Sequence, residues 1–305
     1  MQEFGLIGLG RMGANMARRL SRAGLKLAVC NRTAEVARQL AAEEGNLRAV
    51  ESYEELLASL PSPRIVWLML PAGEATETAL QALSGLLSAG DLVVDGANAY
   101  YQDSMRHAED LAAKGVEFVD AGVSGGVWGL ENGYALMLGG APQSVARLRP
   151  LIEALAPGAD RGWVHCGPAG SGHFAKMIHN GIEYGMMQAL AEGLALMKSK
   201  QEFDFDLAEV SEAWRHGSVV RSWLLDLTAE VLKQDQDLDA IQPYVADSGE
   251  GRWTALEAIN QKVPAPVMSL ALMMRYASQG SNDYPAKLLA MMRNAFGGHK
   301  VEPAK

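Results

Sequence analysis

Phe4-Gly5-Leu6-Ile7-Gly8-Leu9-Gly10-Arg11-Met12-Gly13-Ala14-Asn15-Met16-Ala17-Arg18-Arg19-Leu20 decides the fold. A short apolar run leads into Gly-x-Gly-x-x-Gly, which opens a helical pattern, so the stretch reads strand, turn, helix. The glycines permit a tight turn, close approach of backbone to a pyrophosphate, and close packing of helix on strand. The helix start adds amide donors and the positive end of its dipole. A second apolar run, Leu25 to Cys30, follows at the remove expected of a βαβ unit. In this context the motif predicts dinucleotide binding, with Gly8, Leu9, Gly10, Arg11, Met12 and Gly13 at the cofactor.

The second run ends in Asn31-Arg32-Thr33, where an NAD-preferring site usually presents an acidic residue to the ribose hydroxyls. Here Arg32 and the Thr33 hydroxyl suit a 2'-phosphate, which favours NADP. NAD use stays open, because one arginine adds affinity for one cofactor without excluding the other. Further strands are expected at Ile65 to Leu70, Leu92 to Asp95, Phe118 to Ala121 and Ala135 to Leu138. Helical patterns such as Thr76 to Leu87 and Asp103 to Lys114 separate them. This alternation predicts a largely parallel, doubly wound sheet, with ligands off the carboxyl ends of its strands. The loops expected there are Leu70-Pro71-Ala72-Gly73, Asp95-Gly96-Ala97-Asn98 and Gly122-Val123-Ser124-Gly125-Gly126. Leu70, Pro71 and Ala72 belong with the cofactor, and Asn98 and Ser124 are the side chains to aim at nicotinamide or substrate. Either also fits ordinary turn chemistry.

After Trp163-Val164-His165-Cys166 the pattern turns helical and stays so. Gly172 to about Lys200 predicts one long helix, with Met177, Ile178, Ile182, Met186, Leu190, Leu194 and Met197 offering an apolar stripe. Lys176, Asn180 and Glu183 stack an amine, an amide and a carboxylate on one face. That row fits a solvated face or an acid-base site. Gly181 and Gly185 cost a helix about 1 kcal/mol each against alanine, which implies something packed closely against them. Shorter helices are expected over Leu207 to His216, Val220 to Lys233, Trp253 to Asn260, Pro266 to Ser278 and Pro285 to Phe296. The fold class is therefore α/β: a doubly wound Rossmann-type domain over 1–171, then an all-α substrate and oligomerisation domain over 172–305.

A chain of 305 residues can bury two cores. Its net charge of -9 and lack of a basic block argue against nucleic acid as a partner. No apolar run is long enough to span a bilayer, and no secretion leader is expected. The two cysteines, Cys30 and Cys166, end strand-like runs without metal spacing, so buried, reduced, cytoplasmic thiols are expected. The six histidines lack ligand spacing, and no metal is expected.

These motifs, with His179-Asn180-Gly181-Ile182-Glu183-Tyr184, Gly251-Arg252-Trp253-Thr254, Arg275 and the tail Arg293 to His299, resemble the 6-phosphogluconate dehydrogenases of the wider β-hydroxyacid dehydrogenase group. The resemblance covers nearly the whole chain, in a short form, and implies oxidative decarboxylation of 6-phosphogluconate in the pentose phosphate pathway. It implies Lys176 as base on the 3-hydroxyl and Glu183 as acid at C1, with Asn180 and His179 orienting the base and the sugar hydroxyls. Such a lysine must be neutral near pH 7 against a reference near 10.4, a cost of roughly 4 kcal/mol. Ser124, Gly125 and Gly126 would hold the carboxylate end, with Asn98 near the nicotinamide. Tyr184, Arg252, Thr254, Arg275, Arg293 and His299 would bind the phosphate end. Arg252 stands where the family usually has lysine. The tail would enter a neighbouring subunit's site in a homodimer or homotetramer. Two rival functions stay open: a dehydrogenase of a small unphosphorylated 3-hydroxy acid, which needs neither the arginines nor Glu183, and a non-catalytic nucleotide sensor.

Overall fold

The structure, a computed structural model, describes residues 3–280, 283–297 and 300–302. The chain divides into two compact units, Met1–Met177 and Ile178–Lys305.

In the first unit, β1 (Glu3–Ile7), β2 (Lys26–Cys30), β3 (Leu47–Val50), β4 (Ile65–Leu68), β5 (Leu92–Asp95), β6 (Glu117–Ser124), β7 (Ala135–Gly140) and β8 (Trp163–Gly167) form one sheet. Its order is β3-β2-β1-β4-β5-β6-β7-β8. The central strands are apolar at successive positions because both faces are covered. Ile65 and Trp67 of β4 enter one core with Leu6, Leu27 and Leu92, while Val66 and Leu68 enter the other with Ile7, Ala28 and Val93. Helices α1 (Arg11–Arg22), α2 (Ala34–Glu43), α3 (Tyr53–Ser59), α4 (Glu74–Ser84), α5 (Tyr101–Ala112), α6 (Gly129–Asn132), α7 (Pro142–Arg147) and α8 (Arg149–Leu155) complete the layers. The chain runs outward from β1 to β3 and returns to β4 on the other side of β1. The ends of β1 and β4 therefore flank the switch point where such sheets hold ligands.

Four features depart from expectation. The four-residue β3, with its exposed Arg48, has too short an apolar run to announce itself. β7 pairs antiparallel with β6, and β8 follows β7 in parallel, so the sheet reverses direction at that edge. β4 stops at Leu68 and β6 runs on to Ser124, making Ser124 the last residue of a strand. Cys30 is buried as expected, but Cys166 is exposed, because β8 is an edge strand whose alternate residues face outward.

Helix α9 (Ser171–Ser199) starts in the first unit and continues into the second. There it is followed by α10 (Leu207–Arg215), α11 (Trp223–Gln234), α12 (Glu250–Gln261), α13 (Pro266–Ser278) and α14 (Asp283–Gly297). Among the described residues of this unit there is no strand. α11 starts at Trp223, not Val220, because the Ser222 side chain accepts from the Leu225 amide and so caps the helix. α12 starts at Glu250, ahead of the expected Trp253. Both glycines of α9 are explained by neighbours. A Cβ on Gly181 would stand 2.6 Å from Thr254 Cγ2, and one on Gly185 would stand 3.2 Å from Val267 Cγ1. The apolar stripe of α9 is only partly inside: Met177 and Leu194 are buried, whereas Ile182 and Met186 are exposed, on turns where the unit's small core does not reach.

Candidate active site

The dinucleotide loop joins β1 to α1 at the switch point. Gly8 adopts φ +96°, and a Cβ there would press on the Met69 carbonyl and stand 2.9 Å from Leu70 Cδ2. A Cβ on Gly13 would collide with the Gly8 carbonyl, whereas Gly10 faces open space. α1 makes its first turn from Ala14 N–H to Gly10 C=O at 2.9 Å. Its leading amides thus lack intrahelical partners, and no acidic residue sits in that turn. Two close-packed glycines, one open glycine and an uncapped helix start fit the pyrophosphate of a dinucleotide.

The Asn31 side chain is committed within the loops: its Oδ1 accepts from Leu9 N–H at 3.0 Å and its Nδ2 donates to the Thr33 carbonyl at 3.2 Å. Asn31 thus ties the end of β2 to the glycine loop and takes the Leu9 amide out of the donor set. Arg32 and Thr33 are exposed beyond it. Leu70 packs beside Gly8, and Pro71 and Ala72 are exposed, their loop fixed by Thr76 Oγ1 donating to the Pro71 carbonyl at 2.9 Å. Asn98 is exposed past β5. Gly125 and Gly126 follow Ser124 at φ +136° and +53°, angles that favour glycine.

Lys176 also belongs to this unit and is buried, at 8% exposure. It lies on the first turns of α9, seated on β6: a Cβ on Gly122 would collide with Lys176 Cβ. Three further residues hold that seat. Asp120 of β6, fully buried, accepts from the amides of Gly170 at 2.6 Å and His173 at 2.7 Å. It caps α9 from a distant strand. Burial pushes its carboxyl up, opposed by His173 and those amides. Ser104 Oγ of α5 lies 2.6 Å from His173 Nδ1, both side chains buried. The only hint was a carboxylate inside the apolar run of β6, with nothing to say what it would meet.

In the second unit His179 Nδ1–H donates to Asn180 Oδ1 at 3.0 Å and lies 3.8 Å from Glu183 Oε2. Tyr184 is buried beneath Arg275, whose guanidinium carbon stands 3.3 Å from the ring centroid. Arg252 pairs with Asp247 at 3.3 Å. Thr254 is buried, packed against Gly181, where its methyl fills the space a larger residue would occupy. Arg293 lies exposed on α14, and His299 lies outside the described residues.

The family model described as the NAD binding domain of 6-phosphogluconate dehydrogenase matches residues 3–167, and that of the 6-phosphogluconate dehydrogenase C-terminal domain matches residues 172–284. The chain belongs to the 6-phosphogluconate dehydrogenase family. A family relative from Haloferax volcanii, an NAD(+)-dependent decarboxylating 6-phosphogluconate dehydrogenase, is 38% identical over 98% of this chain and 98% of its own length. An NADP(+)-dependent decarboxylating 6-phosphogluconate dehydrogenase from Bacillus subtilis is 34% identical over 91% of this chain but only 61% of its own. The chain spans about three fifths of that relative's length. The solved 6-phosphogluconate dehydrogenase of Plasmodium falciparum, studied with NADP+ and with 6-phosphogluconate, superposes with a TM-score of 0.84 at 32% identity, covering 99% of this chain and 67% of that one. Among the described residues no helix is long and apolar enough to cross a membrane.

Proposed function

We propose that the chain catalyses oxidative decarboxylation of 6-phospho-D-gluconate to ribulose 5-phosphate and CO2, with NAD(P) as cofactor. The observation that carries this is the buried Lys176, seated on Gly122 in the unit that also holds the dinucleotide loop. A neutral amine is what abstraction of the C3 hydroxyl proton requires. What the dinucleotide supplies when bound is acceptance of the hydride from C3. The 3-keto acid left behind is a β-keto acid and loses CO2 from C1. The proton held on Lys176 returns to the C3 oxygen as the electrons of the broken bond move there, giving the enediol. Glu183, carried farther along the same helix, supplies a proton to the former C2 of the acid, which becomes C1 of ribulose 5-phosphate, as the proton on the former C3 oxygen returns to Lys176 and the ketone forms; Asn180 and His179 orient the hydroxyls. Ser124, Gly125 and Gly126 hold the carboxylate end, and Arg252, Arg275 and Arg293 the phosphate.

The same proposal includes a homo-oligomer in which α14 docks on a second copy. Leu288, Leu289, Met291 and Met292 of α14 are exposed, as are Ile182 and Met186 of α9, and apolar surface on this scale marks an interface. The free thiols Cys30 and Cys166 support a reducing, cytoplasmic setting. The test of function is the rise in reduced-cofactor absorbance on adding 6-phosphogluconate, with NADP and with NAD. Turnover that Lys176→Met lowers by about 10²–10⁴-fold is expected. No turnover with either cofactor, or an unaffected Lys176→Met enzyme, would overturn the proposal.

A further inference from the structure

Asp120, Gly122 and Ser124 lie at two-residue spacing in β6 and so share one face of the strand. The Asp120 carboxylate holds the start of α9 with both oxygens: Oδ1 accepts from Gly170 N–H and Oδ2 from His173 N–H. Gly122 seats Lys176, and Ser124 ends the strand at the glycine pair that follows it. Two amides of one helix start fixed on one buried carboxylate give α9 a single axial position along β6. The neighbouring strand closes the same place. A Cβ on Gly139 of β7, the register partner of Asp120, would collide with Asp120 Oδ1 and stand 2.7 Å from Gly172 N. On α5, the fully buried Ser104 shares a hydrogen bond of 2.6 Å with the equally buried His173. That helix opens at Tyr101, just after Asn98. Asp95 of β5, the register partner of Asp120 on the other side and also fully buried, accepts from Ala97 N–H at 3.0 Å and so orders the turn that carries Asn98. The helix with Lys176, the strand with Ser124 and the segment with Asn98 thus meet on one set of buried polar side chains.

We propose that Asp120, His173 and Ser104 are positioning residues, which set the place of the Lys176 amine relative to Ser124 and Asn98 by fixing the start of α9 on β6 and α5. This rests on the reading of Lys176 as the base. The three residues act through the helix, and each is too deeply buried to meet a ligand itself. A lysine side chain is long and flexible, so its backbone must be held where its amine has to meet one hydroxyl. A carboxylate suits the anchor because it only accepts, and both of its oxygens face amide donors here.

The experiment measures kcat and KM with 6-phosphogluconate for Asp120→Asn, alone and in the Lys176→Met background. Turnover is counted per cofactor-binding site, by calorimetric titration with NADP or NAD, so that unfolded protein does not enter the rate. Asparagine has nearly the shape of aspartate but donates from one end, so either Gly170 or His173 N–H loses its acceptor. kcat per site should fall about 10- to 100-fold, as for a misplacement near 1 Å, with the cofactor Kd changed no more than about twofold. In the Lys176→Met background Asp120→Asn should lower the remaining turnover no further, since both changes act through one amine. An unchanged kcat per site would overturn the proposal. So would a full further loss in the Lys176→Met background, which would show damage that does not pass through the base. If Asp120→Asn folds poorly, Ser104→Ala replaces it. That variant should show the same pattern with a loss of about three- to tenfold, and an unchanged kcat per site would again overturn the proposal. A parent protein that binds cofactor but does not turn over 6-phosphogluconate would instead remove the functional reading, a result seen before any variant is compared.

Discussion

Lys176 rests on Gly122: a Cβ at the glycine would collide with the Cβ of the lysine and stand 3.1 Å from its Cγ. The glycine lies in β6 and the lysine on α9, so the helix can sit low enough to bury the amine only where the strand has no side chain.

Gly122→Ala is therefore expected to lift the first turns of α9 off β6 and move the amine. A displacement near 1 Å at a reacting group costs up to about 10²-fold. Steady-state kinetics should show kcat down by about 10- to 100-fold, with KM for NAD(P) little changed, because the glycine loop of β1 is untouched.

Ser104→Ala removes the partner of His173 Nδ1 in a fully buried setting. Leaving a buried ring nitrogen unsatisfied should destabilise the protein by about 1–3 kcal/mol, read as a lower urea midpoint at unchanged slope.

Glu77 of α4 gives a pH signature. The hydrogen bond from Arg106, with help from His107, holds its carboxyl down to about 2 from an ordinary 4.5. A depressed carboxylate adds stability above its unfolded value and loses it as pH falls toward its folded value. The Glu77→Gln protein should thus be less stable than the parent above pH 4.5, and the gap should close as pH falls toward 2. The group is about one-third exposed, so the effect will be modest and weaker in high salt. Urea midpoints measured across that pH range check it.

Arg32 stands exposed where β2 ends, at the position that meets the ribose in dinucleotide folds. Arg32→Glu should repel a 2'-phosphate and lower the NADP-to-NAD ratio of kcat/KM by at least about tenfold. An unchanged ratio would remove Arg32 from cofactor choice.

Much of the molecule could be read in order along the chain. The turn from β1 into α1, the alternation of strands and helices, and the long helix expected from Gly172 to about Lys200 all follow from local patterns. α9 runs Ser171–Ser199. Signals a few residues wide fail where the deciding partner is far off. The direction of β7 is set by pairing with β6, and the start of α11 by one hydroxyl at Ser222. The stripe on α9 gave Ile182 and Met186 the same inward reading as Met177, although only Met177 meets a core within the chain.

Spacing and residue type alone determined that a glycine-rich loop would open a doubly wound sheet, that an all-helical segment would follow, and that Lys176, Asn180 and Glu183 would share one helix. Those properties depend on backbone sterics and helical repeat, which act over a few residues. Only the tertiary structure decided that the Asn31 side chain ties the end of β2 to the glycine loop, and that Asp120 caps a helix beginning some fifty positions later. Hydrogen bonds and van der Waals contacts reach only a few ångströms, so which distant groups share them is known only once folding has brought them together.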